Sequence, residues 1–141
     1  DQLSQAVLLR FAESGRLAAH LRLVRKSGLA QLEAALEGCR RYLPTGSQFT
    51  TPDGGLNLWV RLPAPLDAGA ALAAAQARGV SYLPARYFAV NRLETGAFRL
   101  SFGGLTPFEI ERGIQLLGEV FEEELARGAR SGAAEMHTAM V

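Results

Sequence analysis

The sequence predicts an α+β fold: a small, mostly antiparallel sheet of three to four strands, covered by helices and preceded by one long helix. Two periodicities point there. Through 16–43 and 107–125, apolar residues recur at steps of three and four, as on a helix with one buried face. Through 56–62 and 98–102 they alternate with polar residues, as in a half-buried strand. The resulting order is helix, helix, strand, strand, helix, strand, strand, helix. Helices that must cover one face of a short sheet give a two-layer α+β arrangement.

Residues 1–14 read as a helix with Leu3, Val7, Leu8 and Phe11 on one side, broken at Ser14-Gly15. The long helix over 16–43 carries the stripe Leu17, Leu21, Val24, Gly28, Leu32, Ala35, Cys39 and Tyr42, with Glu37 and Arg41 spaced to pair across one turn. Pro44-Thr45-Gly46 ends it. A first strand is expected over 47–51, then a tight turn at Pro52-Asp53-Gly54-Gly55. In the second strand Leu56, Leu58, Val60 and Leu62 alternate with Asn57, Trp59 and Arg61. Asp67 is placed to cap an alanine-rich helix that ends at Gly79. A short strand over 80–83, an irregular loop over 84–96 and the strand around Arg99 follow. Thr106-Pro107-Phe108-Glu109 is a capping box with proline at the first helical position. The last helix shows Ile110, Ile114, Leu117, Phe121 and Leu125 on one face. Residues 1–127 therefore read as one domain, and 128–141, small and aperiodic, as a flexible tail. The first helix has little to bury against within the chain, which suggests a docking surface for a further domain or self-association of the chain alone.

Nearly half the residues are apolar and the net charge is +1, which is globular composition with no charge signature for nucleic-acid binding. The single cysteine, Cys39, fits a reducing cytoplasm, and its place in the apolar stripe makes it core filler rather than a nucleophile. No apolar run is long enough to span a bilayer and no signal peptide is visible. The chain opens on Asp1 inside a helical pattern, so it reads as part of a longer protein. Every basic residue is arginine except Lys26. His20 and His137 have no second ligand at metal-site spacing, and neither a nucleophile elbow nor a Walker loop is present. Arg22, Arg25 and Lys26 cluster on the long helix, where a solvated face is the simpler reading and an acidic partner or a neighbouring domain the alternative.

The residue with the most chemistry is Arg99. In Phe98-Arg99-Leu100-Ser101-Phe102, the apolar residues share one face and Arg99 and Ser101 the other. A guanidinium held by a rigid strand presents parallel N–H donors that suit a carboxylate. From this run alone, an ordinary surface arginine on a half-exposed sheet is the simpler reading.

Four pieces of sequence change that balance. They are Ser14-Gly15-Arg16 with His20-Leu21-Arg22; Pro52-Asp53-Gly54-Gly55-Leu56-Asn57-Leu58-Trp59-Val60-Arg61-Leu62-Pro63; Gly79-Val80 with Pro84 and Phe88; and Phe98-Arg99-Leu100-Ser101-Phe102 leading into Glu109-Ile110 and Gly113-Ile114. In this order and spacing the chain resembles the C-terminal small domain of fold-type I pyridoxal-phosphate aminotransferases, in particular the subgroup of MocR-type regulators of the GntR family and 2-aminoadipate-like aminotransferases. The resemblance implies that Arg99 binds the α-carboxylate of an amino acid and orients it against the cofactor. It implies pyridoxal 5'-phosphate in the full-length parent, bound mainly by a large domain outside this chain. The residues here depart from the family in the loop: Pro84-Ala85-Arg86-Tyr87-Phe88 has alanine where the family carries glycine. Tyr87 and Phe88 are assigned to the site wall, and Arg86 to a substrate side chain, a phosphate or solvent.

Lys26 lies outside any family Schiff-base motif, so the resemblance implies no catalytic and no cofactor-binding residue in this chain, which alone is not expected to transaminate. Three readings follow. The first is the C-terminal part of a MocR-type transcriptional regulator, contributing the carboxylate-binding half of an effector cleft and reaching DNA only through a separate N-terminal domain. The second is the small domain of a true amino-acid aminotransferase. The third is a stand-alone interaction domain. The parent in the first two is expected to be a cytoplasmic homodimer without membrane contact.

Overall fold

The computed structural model describes residues 1–90 and 94–138. Its helices are α1 (Gln2–Glu13), α2 (Arg16–Tyr42), α3 (Ala68–Ala77) and α4 (Pro107–Thr138). Its strands are β1 (Gln48–Phe49), β2 (Asn57–Arg61), β3 (Leu83–Pro84) and β4 (Ala97–Ser101), with a 3-10 turn over Ala85–Tyr87. The strands form one antiparallel sheet in the order β1-β2-β4-β3. This is the α+β arrangement the sequence predicts.

The register explains which residues go inside. Leu58 lies opposite Leu100 and Val60 opposite Phe98, so the apolar parity of both central strands falls on one face. All four are buried there against Leu32, Ala35 and Cys39 of α2, Ala71 and Ala75 of α3, and Ile114, Leu117 and Phe121 of α4. Tyr82 packs its ring 4.5 Å from Phe98 and donates its hydroxyl to the Ala68 carbonyl at 2.7 Å. Each large apolar side chain so buried stabilises the fold by about 1.5–3 kcal/mol before entropy is counted.

Local signals set the helix starts. Asp67 accepts from the amides of Gly69 and Ala70 at 2.6 and 3.0 Å, capping α3. Thr106 and Glu109 cap each other: the Thr106 amide donates to the Glu109 carboxylate at 2.7 Å, and the Glu109 amide donates to the Thr106 hydroxyl at 3.3 Å. Where α2 crosses α4, glycines carry the approach. A Cβ on Gly38 would press on Ile114, and one on Gly118 would run into the Tyr42 carbonyl.

Several boundaries differ from the sequence-based expectation. The strand expected over 80–83 is shortened and shifted to Leu83–Pro84, taking in the first residue of the expected loop, because β4 pairs only with those two residues and an edge strand tolerates proline. The strand expected over 47–51 shortens to Gln48–Phe49. Glu37 pairs with Arg40 at 3.4 Å, while Arg41 reaches across to Glu111 at 3.7 Å. Helix α4 continues through Gly128 to Thr138, over most of the segment expected to be a loose tail. A glycine in a helix costs about 1 kcal/mol relative to alanine, and the segment holds two, Gly128 and Gly132, among the helix formers Ala126, Arg127, Ala129, Arg130, Ala133 and Ala134. Residues 91–93 of the 84–96 loop and 139–141 of the tail lie outside the described residues.

Burial is uneven along the helices. None of α1 is buried, and in α2 burial begins only at Leu32. Leu17, Leu21 and Val24 belong to the same stripe yet remain exposed. No helix among the described residues is long and apolar enough to cross a membrane.

Candidate functional site

The sheet face turned away from the helices is built by the opposite parity: Asn57, Trp59 and Arg61 on β2, Arg99 and Ser101 on β4, and Leu83 on β3. Arg99 sits at its centre, with Trp59 and Leu83 as its cross-strand neighbours. After the 3-10 turn, Phe88 folds back over this face. Its ring centre lies 5.0 Å from the Arg99 Cζ, within cation–π range. The same ring meets Trp59 edge-on, with centroids 5.8 Å apart and planes at 74°.

The guanidinium is thus packed rather than waving in solvent. Its Nε is buried and has no hydrogen-bond partner among the described residues. No salt bridge to a described carboxylate occupies Arg99, whereas Arg61 on the same face is bound by both carboxylate oxygens of Glu94 at 3.0 and 3.1 Å. A buried donor without a partner costs free energy, and the Phe88 ring beside the guanidinium is the group placed to offset that cost. Beside it, Ser101 donates to the Asn57 amide oxygen at 2.6 Å, fixing the far end of the face.

The sequence-predicted residues divide. Phe88 comes to Arg99. Tyr87 does not: it is 63% exposed, and Arg86 stacks over its ring at 5.3 Å. Trp59 and Asn57 gain a place on this face that sequence reasoning did not assign. The signal available for them was parity, since both share the outward side of β2 with Arg61.

The face is open. A cavity of about 610 Å³ lies between α2 and the Asp53-Gly54-Gly55 turn, and another of about 280 Å³ lies between β4, Val80-Ser81 and the start of α4. Neither reaches Arg99. Cys39 is sealed in the core, where burial pushes its thiol up to about 12, so it is no nucleophile at ordinary pH. The only lysine, Lys26, is exposed on α2, whose buried residues enter the core on the other side of the sheet. These donors fit one anionic group held by Arg99. They do not fit covalent capture of an aldehyde cofactor by this chain.

No family model matches the sequence. The chain is 30% identical over 127 residues to Aromatic-amino-acid aminotransferase 1 of Thermococcus litoralis, covering 90% of this chain and 30% of that protein. It is 30% identical over 121 residues to the uncharacterized HTH-type transcriptional regulator YdcR of Escherichia coli, covering 86% of this chain and 26% of the regulator. Among solved structures, the multiple substrate aminotransferase of Thermococcus profundus superposes with a TM-score of 0.79 at 32% identity, covering 87% of this chain and 30% of that one. The chain therefore spans under a third of the length of each.

Proposed function

Taking as premise that this chain is an aminotransferase-like segment, homologous over most of its length to aminotransferases and to an HTH-type regulator, we propose that it supplies the carboxylate-binding half of an amino-acid cleft. The observation that carries this reading is Arg99: a guanidinium beside Phe88 and Trp59 on an open sheet face, with a buried Nε and no carboxylate partner among the described residues. Arg99 takes the α-carboxylate of an amino acid, and Phe88 lines the wall beside it. The other half of the cleft is a larger pyridoxal-phosphate-binding domain of the same protein, for which the exposed apolar sides of α1 and the first half of α2 are the docking surface. Pyridoxal phosphate supplies the aldehyde and the electron sink there. What this chain contributes is orientation, since a two-point clamp on the carboxylate fixes the bonds at Cα relative to the ring.

Within that reading, the chain belongs to a MocR-type regulator of the GntR family, in which amino-acid or cofactor binding is sensed and a separate N-terminal domain binds DNA. Similarity to the Escherichia coli regulator over 86% of the chain supports it. A second reading, the small domain of a working aminotransferase in a cytoplasmic homodimer, is supported by the Thermococcus relatives. The test is a titration of the intact protein, loaded with pyridoxal phosphate, with a panel of amino acids. Conversion of one amino acid to its oxo acid means an aminotransferase. A spectral shift without turnover, coupled to a change in DNA affinity, means a regulator. Amino-acid affinity unchanged by Arg99→Lys would overturn the role of Arg99 in both.

A further inference from the structure

An arginine offers a carboxylate two forks. The end fork uses Nη1 and Nη2; the side fork uses Nε and one Nη. The choice fixes the direction from which the ligand arrives and which residues touch it. In this chain Nε is buried and faces no acceptor among the described residues. The Phe88 ring lies 5.0 Å from Cζ and is itself held edge-on by Trp59, the cross-strand neighbour of Arg99. The side fork is closed by packing.

We infer that Phe88 is a positioning residue: its ring is a plate that fixes the plane of the Arg99 guanidinium, with Trp59 as buttress, so that the carboxylate docks end-on through Nη1 and Nη2 alone. This rests on the carboxylate reading above and deepens it. The ring's negative face offsets the missing hydrogen bond at Nε, because a cation over an aromatic face is attracted electrostatically and an N–H directed at a ring is a weak hydrogen bond. Two rigid aromatic groups cost little conformational entropy to hold in place, so the fork is set before the ligand arrives. Tyr87, stacked with Arg86, takes no part. Phe88 is 42% exposed, so replacing it leaves the core intact.

The experiment combines two readouts on the intact protein, with butyrate as the carboxylate probe. Arginine-selective nitrogen-15 labelling, with the Arg99 signals assigned by loss in Arg99→Lys, follows the Nε proton and the Nη protons separately. Butyrate is expected to shift the Nη signals and leave the Nε proton in place and protected from solvent exchange. Phe88→Leu, similar in bulk without a π face, is expected to weaken butyrate about tenfold and to speed exchange at Nε, while Phe88→Tyr stays within about twofold of the parent. A downfield shift of the Nε proton on adding butyrate, or wild-type affinity in Phe88→Leu, would overturn the inference. Wild-type protein that ignores butyrate would overturn the carboxylate reading and the fork with it. Even then, Nε protection lost in Phe88→Leu and kept in Phe88→Tyr would support Phe88 as the group that orders the guanidinium.

Discussion

The two faces of the sheet come from the same strands and differ by one residue of parity. On one face, Leu58, Val60, Phe98 and Leu100 are buried, and three helices contribute to the core they join. On the other, Asn57 and Ser101 bond to each other, and Trp59 and Arg99 meet Phe88. The first face is closed by groups that lower the free energy of the fold. The second keeps a buried nitrogen with no partner among the described residues and a partly exposed aromatic ring, neither of which adds to the stability of the fold as the core does. On the proposed reading, stability and binding are separated across about one strand thickness, and substitutions should sort accordingly.

The largest effect is expected on the closed face. Phe98→Ala removes a fully buried ring at the centre of the core and should cost about 3–5 kcal/mol, read as a lower denaturant midpoint at unchanged slope. Next is Gly118→Ala at the α2–α4 crossing, where the new methyl meets the Tyr42 carbonyl and the helices must separate. It should cost about 1–3 kcal/mol in the same titration, and a neutral result would mean the crossing is looser than described.

A smaller effect belongs to the start of α4. The Thr106 amide and hydroxyl hold the Glu109 carboxyl below the usual carboxylate range. A carboxyl whose folded pKa is lowered contributes stability that is full above its unfolded pKa and is lost as pH falls through the folded value. Acidification below the normal glutamate range should therefore weaken the fold, and Glu109→Gln should flatten that part of the pH profile without moving the rest. A profile equally steep in Glu109→Gln would assign the acid loss to other groups. The smallest effect on stability is expected from Arg99→Lys on the open face: a midpoint within about 0.5 kcal/mol of the parent, because no hydrogen bond to a described residue is lost.

How much of this is legible in sequence follows from range. The caps at Asp67 and Thr106–Glu109 are read correctly because their partners lie within one turn. Arg99 pointing away from the core follows from alternation, which needs only its immediate neighbours. The resemblance assigns Phe88 to the site wall, but its contact with Arg99 and Trp59 is not legible in the local pattern, because an irregular segment decides where that ring lands. Nor is the choice of Arg40 over Arg41 by Glu37, since Arg41 has Glu111 of another helix within reach. The stripe of α2 is correct as a face, yet Leu21 and Val24 lie in the open and Leu32 and Ala35 inside. Periodicity states which side of a helix wants cover and leaves unsaid what covers it.

The most direct test of the account is the affinity of the intact, cofactor-loaded protein for an amino acid, compared between the parent and Arg99→Lys at matched stability. Lysine keeps the charge and loses the planar fork. The account predicts amino-acid binding weakened at least about tenfold with pyridoxal-phosphate binding retained. Equal affinity in the two proteins would contradict it and return Arg99 to an ordinary arginine on the outer face of a sheet.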